Sequence, residues 1–71
     1  MAEDIRVRFG RRLRELRLKQ GWTQAQLAKH VGLDRSYLGD VERGERNISA
    51  VKLEVIARGL GVTLAKLFSK V

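Results

Sequence analysis

The side chains of this chain best equipped for chemistry lie in one stretch, TQAQLAKHVGLDRSYLGDVERG, from Thr23 to Gly44. Their types suit hydrogen bonding to flat or anionic partners rather than bond breaking. On a helix beginning at Arg35, the positions Arg35, Ser36, Gly39, Asp40 and Arg43 fall on one contiguous polar arc, because residues three and four apart share a face. Leu38 and Val41 fall on the opposite side, with Tyr37 and Glu42 at the two edges. A guanidinium is a planar fork of donors that matches a phosphate, or guanine O6 and N7 together. Arg35, in the first turn, is placed to reach base edges, a contact that discriminates by roughly 1–3 kcal/mol. Ser36 can bond a base or a phosphate. Asp40 can accept from a cytosine amino group or repel a wrong base. Gly39 costs about 1 kcal/mol in helix propensity; it reads either as room for close approach to a groove or as simple tolerance. Thr23 and Gln24 open the preceding helix, whose free N–H groups and positive dipole end suit a phosphate. Tyr37, Arg43, Arg46 and Asn47 are further candidates for backbone or groove contacts, each with solvated surface as its plainer reading.

Other chemistries lack their parts. There is no cysteine and only one histidine, His30, so thiolate and histidine metal sites are excluded. No Ser–His–acid set assembles from the sequence. Asp40 and Glu42 stand two apart on a helix and diverge, and no carboxylate cluster suits a nuclease metal. The expectation is a protein that is not an enzyme and needs no metal or cofactor. The charge balance points elsewhere: fifteen Lys and Arg against eight Asp and Glu give a net charge of +7. Such a domain attracts polyanions. Ten of those cations are arginines, the better ligands for phosphate and guanine. The opening MAEDIRVRFG contains no long apolar run, so neither a signal peptide nor a membrane span is expected, and a cytoplasmic protein with no membrane partner follows. At 71 residues the chain is expected to form a single domain, 1–71, near the lower size limit for folding alone. Oligomerisation would help so small a core.

Positioning falls to helices, and the absence of proline suits an all-α chain. A first helix is predicted from about Asp4 to about Gln20, with Ile5, Phe9, Leu13 and Leu16 as its apolar stripe and Gly21 as its stop. Its other faces carry Arg6, Arg8, Arg11, Arg12, Arg14, Arg17 and Lys19. Trp22 can stack on a base but reads first as core, and can staple against Leu27. Thr23 with Gln26 fits a capping box, with Leu27, Ala28 and Val31 facing inward and Gly32 ending the second helix. Asp34 is expected to cap the third helix and Gly44 to stop it. Ser49 caps a fourth from about Ala50 to Leu60, whose core stripe is Leu53, Ile56, Ala57 and Leu60. Thr63 caps a short fifth helix, where Leu64, Leu67 and Phe68 close the core. Val51 and Val55 form a second apolar strip on the fourth helix, more than one small core needs. With Gly59, Val62 and Leu64 they are the candidate homodimer interface; the plainer reading is a thicker core. A two-fold dimer would place two reading helices about one DNA turn, ~34 Å, apart on a near-palindrome.

Two helices around a glycine-bearing turn in a basic domain fit a helix-turn-helix over 23–44. The stretch resembles that of the lambda Cro/repressor superfamily, or XRE type, and the resemblance extends to FGRRLRELRLKQGWTQ before it and LEVIARGLGVTLAKLF after it. Within the superfamily, LDRSYLGDVERGERNIS is most similar to the controller proteins of restriction–modification systems. The resemblance implies a compact five-helix domain that binds double-stranded DNA as a homodimer and regulates transcription, with RNA polymerase as a further potential partner. It implies that Gln24 contacts a phosphate or base at the groove edge, and that Arg35 and Ser36 read bases. Tyr37 and Arg43 would grip the backbone, and Arg46 and Asn47 would reach DNA from the following loop. It also implies that Arg17 pairs with Glu42, tying the first helix to the third. Glu42 beside the buried face agrees, since an unpaired carboxylate there is costly. The usual serine of this segment is Gly39 here. The competing reading is an antitoxin-type module that binds a protein as well as DNA. RNA is disfavoured because an A-form major groove does not admit this helix.

Overall fold

The computed structural model describes residues 3–71, which form five helices: α1 Ile5–Lys19, α2 Gln24–Val31, α3 Arg35–Glu42, α4 Ala50–Leu60 and α5 Leu64–Phe68. Local chemistry accounts for most boundaries. Asp4 caps α1, its Oδ1 accepting from the Arg6 amide at 2.8 Å. Its carboxylate also accepts from the Arg6 side chain, which holds its pKa down at about 2. What this cap contributes is therefore complete above the ordinary carboxylate pKa and is lost as pH falls through about 2. Thr23 and Gln26 form the reciprocal capping box, with Gln26 N donating to Thr23 Oγ1 at 3.1 Å and Thr23 N to Gln26 Oε1 at 2.9 Å. Gly32 ends α2 in the left-handed conformation, φ 73°. Ser49 and Thr63 cap α4 and α5 through their hydroxyls. Asp34 departs from expectation: it is the N-cap residue of α3, but its side chain makes no capping bond.

The core joins Phe9, Leu13 and Leu16 of α1 to Leu27 and Ala28 of α2, Leu38 and Val41 of α3, Ile56, Ala57 and Leu60 of α4, and Leu67 of α5. Trp22 packs against this cluster and meets His30 edge to face, ring centroids 4.8 Å apart. Three expected core residues lie outside it. Ile5, in the first turn of α1, is 54% exposed, and in α5 Leu64 is 45% and Phe68 37% exposed, the Phe68 ring stacking on Phe9 at 5.2 Å while Leu67 is fully buried.

The main surprise is arginine burial. Arg12 is 4% and Arg17 6% exposed. Arg12 donates to Lys66 O at 3.0 Å and Ser69 Oγ at 2.8 Å, pinning the end of α5 to α1. Arg8 adds a bond to Val71 O at 3.2 Å. The stripe of α1 sets Arg12 on its inward edge but does not reveal these partners, which lie more than fifty residues away in sequence.

Two glycines set how α1 meets α3. A Cβ on Gly10 would lie 2.4 Å from Glu42 O and 2.5 Å from Val41 O. At Gly44, φ is 77° and a Cβ would lie 2.8 Å from Val7 Cα. The C-terminal end of α3 thus rests directly on the backbone of α1. A Gly10→Ala substitution puts a methyl group against backbone that cannot yield, and is expected to destabilise the fold by about 1–3 kcal/mol. Thermal melting should show the midpoint lowered by roughly 4–8 °C per kcal/mol; an unchanged midpoint contradicts the contact.

Candidate nucleic-acid interface

Leu38 (0% exposed) and Val41 (2%) anchor α3 in the core and turn its other side outward. Arg35 and Ser36 stand exposed in the first turn, and Arg43 caps the last. Ser36, Tyr37, Arg46, Asn47 and Lys52 line one open groove between α3, the loop after it and the start of α4. The half-buried Tyr37 ring forms its floor. The Arg46 guanidinium lies 5.0 Å from the ring centroid and the Lys52 ammonium 4.8 Å, so one ring meets two cations. Lys52 was not among the residues expected from sequence. It lies in the first turn of α4, and only the fold brings it beside Tyr37.

Behind this face sits a polar cluster joining three helices. Arg17 of α1 donates through Nε to Glu42 Oε2 at 2.7 Å and through Nη2 to Oε1 at 3.0 Å. Its Nη1 donates to Trp22 O at 2.7 Å. Gln24 Nε2 of α2 completes the set on Glu42 Oε1 at 3.0 Å. Side-chain exposure is 8% for Arg17 and 3% for Glu42. The bond to Glu42 raises the Arg17 pKa above its already high ordinary value.

This geometry refines several expectations. Gln24 faces inward through its amide N and toward Gly39 through its oxygen, half-buried instead of free at the groove edge. Gly39 is buried: a Cβ there would sit 3.3 Å from Arg43 Nη1 and 3.4 Å from Gln24 Oε1. The missing side chain therefore makes room for two of the protein's own residues. The capping box occupies the Thr23 hydroxyl and the Gln26 amide, so the N-terminus of α2 retains the Gln24 and Ala25 N–H groups for an anion. Asp40 faces Arg43 Nη2 and, through Oδ2, lies 3.4 Å from Arg46 Nε; Glu45 Oε1 lies 3.1 Å from Arg43 Nε. Glu45 was not singled out in the sequence either.

The candidate interface residues divide. Val51 is 72% exposed and Leu64 45%, whereas Val55 and Val62 are half-buried. Gly59 has a role within the chain, since a Cβ there would lie 2.2 Å from Val31 Cγ1 of α2. Among the described residues no group of three or more His, Asp or Glu is placed to hold a metal ion, and no helix is long and apolar enough to cross a membrane.

A helix-turn-helix family model matches residues 13–67. The control protein C.MunI of a Mycoplasma species is 46% identical over 69 residues, 96% of this chain and 93% of that protein. Among solved structures, the restriction–modification controller protein C.AhdI from Aeromonas hydrophila is similar with a TM-score of 0.88 at 50% identity, over 90% of this chain and 97% of that one. The controller protein C.Esp1396I, solved as a tetramer in complex with its natural 35 base-pair operator, is similar with a TM-score of 0.85 at 33% identity, over 94% of this chain and 88% of that one.

The cluster around Glu42 is open to a direct test. Truncation by Arg17→Ala or Glu42→Ala leaves a buried charge unpaired and is expected to cost about 3–5 kcal/mol, enough to unfold much of a domain this small. The double change Arg17→Met with Glu42→Leu should cost less than either, as chemical denaturation will show. A Glu42→Ala protein with an unchanged midpoint would rule out this role.

Proposed function

This chain belongs to the XRE-type helix-turn-helix family, and we propose that it is a sequence-specific regulator of transcription acting on double-stranded DNA. In this reading a homodimer lays α3 of each copy in successive major grooves of a near-palindromic operator, and the regulated genes are those of a restriction–modification system. The observation that carries the proposal is the groove beside α3, where Ser36, Tyr37, Arg46, Asn47 and Lys52 converge next to exposed Arg35. A major groove accepts one helix, and its base edges offer acceptors to Arg35 and donors or acceptors to Ser36. The loop arginine, Asn47 and Lys52 are set to follow the flanking phosphates. The N-terminus of α2 would offer the Gln24 and Ala25 N–H groups, beside Thr23, to a further phosphate. The resemblance to controller proteins supports the biological assignment, and the operator-bound tetramer of one of them supports assembly on DNA.

The dimer is supported by apolar surface in excess of the core. Val51 and Leu64 are too exposed to be serving this copy's interior. One recognition helix reads only a few base pairs, and a pair spaced about one turn, ~34 Å, reads enough to be selective. A contact with RNA polymerase follows where the bound dimer lies beside a promoter. The protein would act in the cytoplasm, with its DNA.

Selection of bound duplexes from a random pool, then footprinting, tests the whole reading; a recovered site without two-fold symmetry would count against the dimer. Arg35→Ala should relax base preference at one position by about 1–3 kcal/mol, while Arg43→Ala should weaken all sequences alike and reduce the log–log salt slope by about 1. Val55→Asp should yield monomers in sedimentation, and a variant as dimeric as the wild type places the interface elsewhere.

A further inference from the structure

Two of the arginines that the DNA-binding reading assigns to phosphate are already occupied. Arg43 is held by Asp40 through Nη2 and by Glu45 through Nε at 3.1 Å, and Arg46 reaches Asp40 Oδ2 at 3.4 Å. Within this patch two carboxylates balance two guanidiniums, on the face of a chain whose net charge is +7. Arg35, on the same face, has no carboxylate within ion-pair reach among the described residues. We propose that Asp40 is an internal competitor for phosphate, a latch on Arg43 and Arg46 that lowers affinity for arbitrary DNA and so sharpens discrimination. The proposal rests on the DNA-binding reading above and extends it.

The physical argument is a difference between two exchanges. To grip a phosphate, Arg43 and Arg46 must trade one anion for another, so each contact yields less than a free guanidinium would. The partners are exposed, Arg43 by 57% and Asp40 by 30%, so the pairs are weak enough for DNA to displace. Once displaced, the Asp40 carboxylate is left facing a polyanion. A base amino group opposite it compensates; a phosphate or carbonyl does not. Binding to random DNA rests almost wholly on phosphate contacts, so the latch subtracts from it throughout, whereas a site offering a donor to Asp40 recovers the loss. The Tyr37 ring, 5.0 Å from the Arg46 guanidinium, remains a partner for that side chain when Asp40 releases it.

The test measures binding of the full chain to random duplex DNA across a salt series. Asp40→Asn keeps the shape and removes the charge. It should raise low-salt affinity for random duplex by roughly 3- to 10-fold and steepen the log–log slope by about 0.9. Its affinity for the selected operator should rise less or fall, narrowing the specificity ratio. Glu54→Gln, which frees Arg58 on α4 and changes the net charge equally, is the control and should leave random binding unchanged. In an Arg43→Ala, Arg46→Ala background the gain from Asp40→Asn should vanish. An unchanged random affinity, an equal gain from Glu54→Gln, or a gain that survives loss of both arginines would each overturn the latch. Absence of duplex binding by the wild type at low salt overturns the DNA-binding reading and the latch with it; wild-type binding with an unresponsive Asp40→Asn overturns the latch alone.

Discussion

Glu42 carries a carboxylate into a place where 3% of its side chain meets solvent, and the domain is arranged to satisfy it. Arg17 of α1 meets both oxygens, and Gln24 of α2 adds a third donor. Arg17 uses its third nitrogen, Nη1, on the Trp22 carbonyl, in the turn between α1 and α2. One charge thus fixes three helices against one another. Taken alone, a buried ion pair contributes little net stability over apolar side chains of the same shape, because desolvation offsets the attraction. Its physical effect is selective. Any rotation or slide of α3 that breaks the pair leaves a charge unmet, so alternative packings are penalised far more than the native one is favoured.

Distance is set by a different force. Gly10 and Gly44 let the end of α3 rest on the backbone of α1, and Gly59 of α4 makes room for the Val31 side chain of α2. Hard contact fixes how close the helices come; the ion pair fixes their rotation. The charge of the chain divides along the same lines. Arg17 serves the α3 anchor, Arg12 holds α5, and Arg8 reaches Val71. Arg43 and Arg46 are balanced by acids. The outward positive field is therefore carried by fewer arginines than composition suggests, since on α1 Arg6 and Arg11 are also paired, with Asp4 and Glu3.

What could be read from sequence was what depends on neighbours along the chain. The Thr23–Gln26 box, the Gly32 stop and the Ser49 and Thr63 caps are contacts across a few residues, and their signatures are local. The polar arc of α3 was readable because Leu38 and Val41 reveal its buried side. What escaped was set by distant partners. Periodicity sets Arg12 beside the apolar stripe of α1 and Arg14 opposite it, but the partners that satisfy the buried guanidinium, Ser69 and the Lys66 carbonyl, are not visible in it. Lys52 joined the site only because the chain after α3 brings the start of α4 beside Tyr37, whereas Glu45 meets Arg43 across two residues, a contact that periodicity does not mark. Asp34 sits where a cap belongs without making the bond, so position in a motif did not determine use of the side chain.

The eight residues of α3 are fewer than an isolated helix needs to persist in water. Its helical form is owed to Leu38, Val41 and Glu42, all on the face turned away from the groove. Stability and recognition are therefore carried by different sides of one short helix, and changes at Arg35 or Ser36 leave the packing untouched. Gly39 is where the two sides meet. It is buried beneath Gln24, which belongs to the Glu42 cluster, and Arg43, which belongs to the outer face. Any Cβ at this position would press on both at 3.3–3.4 Å, a spacing at which one of them must shift by a few tenths of an ångström. A serine there would thus displace Arg43 or Gln24 as well as add a hydroxyl. Its absence lets Arg43 lie flat across α3 toward Asp40 and Glu45, the arrangement in which its charge is most fully balanced.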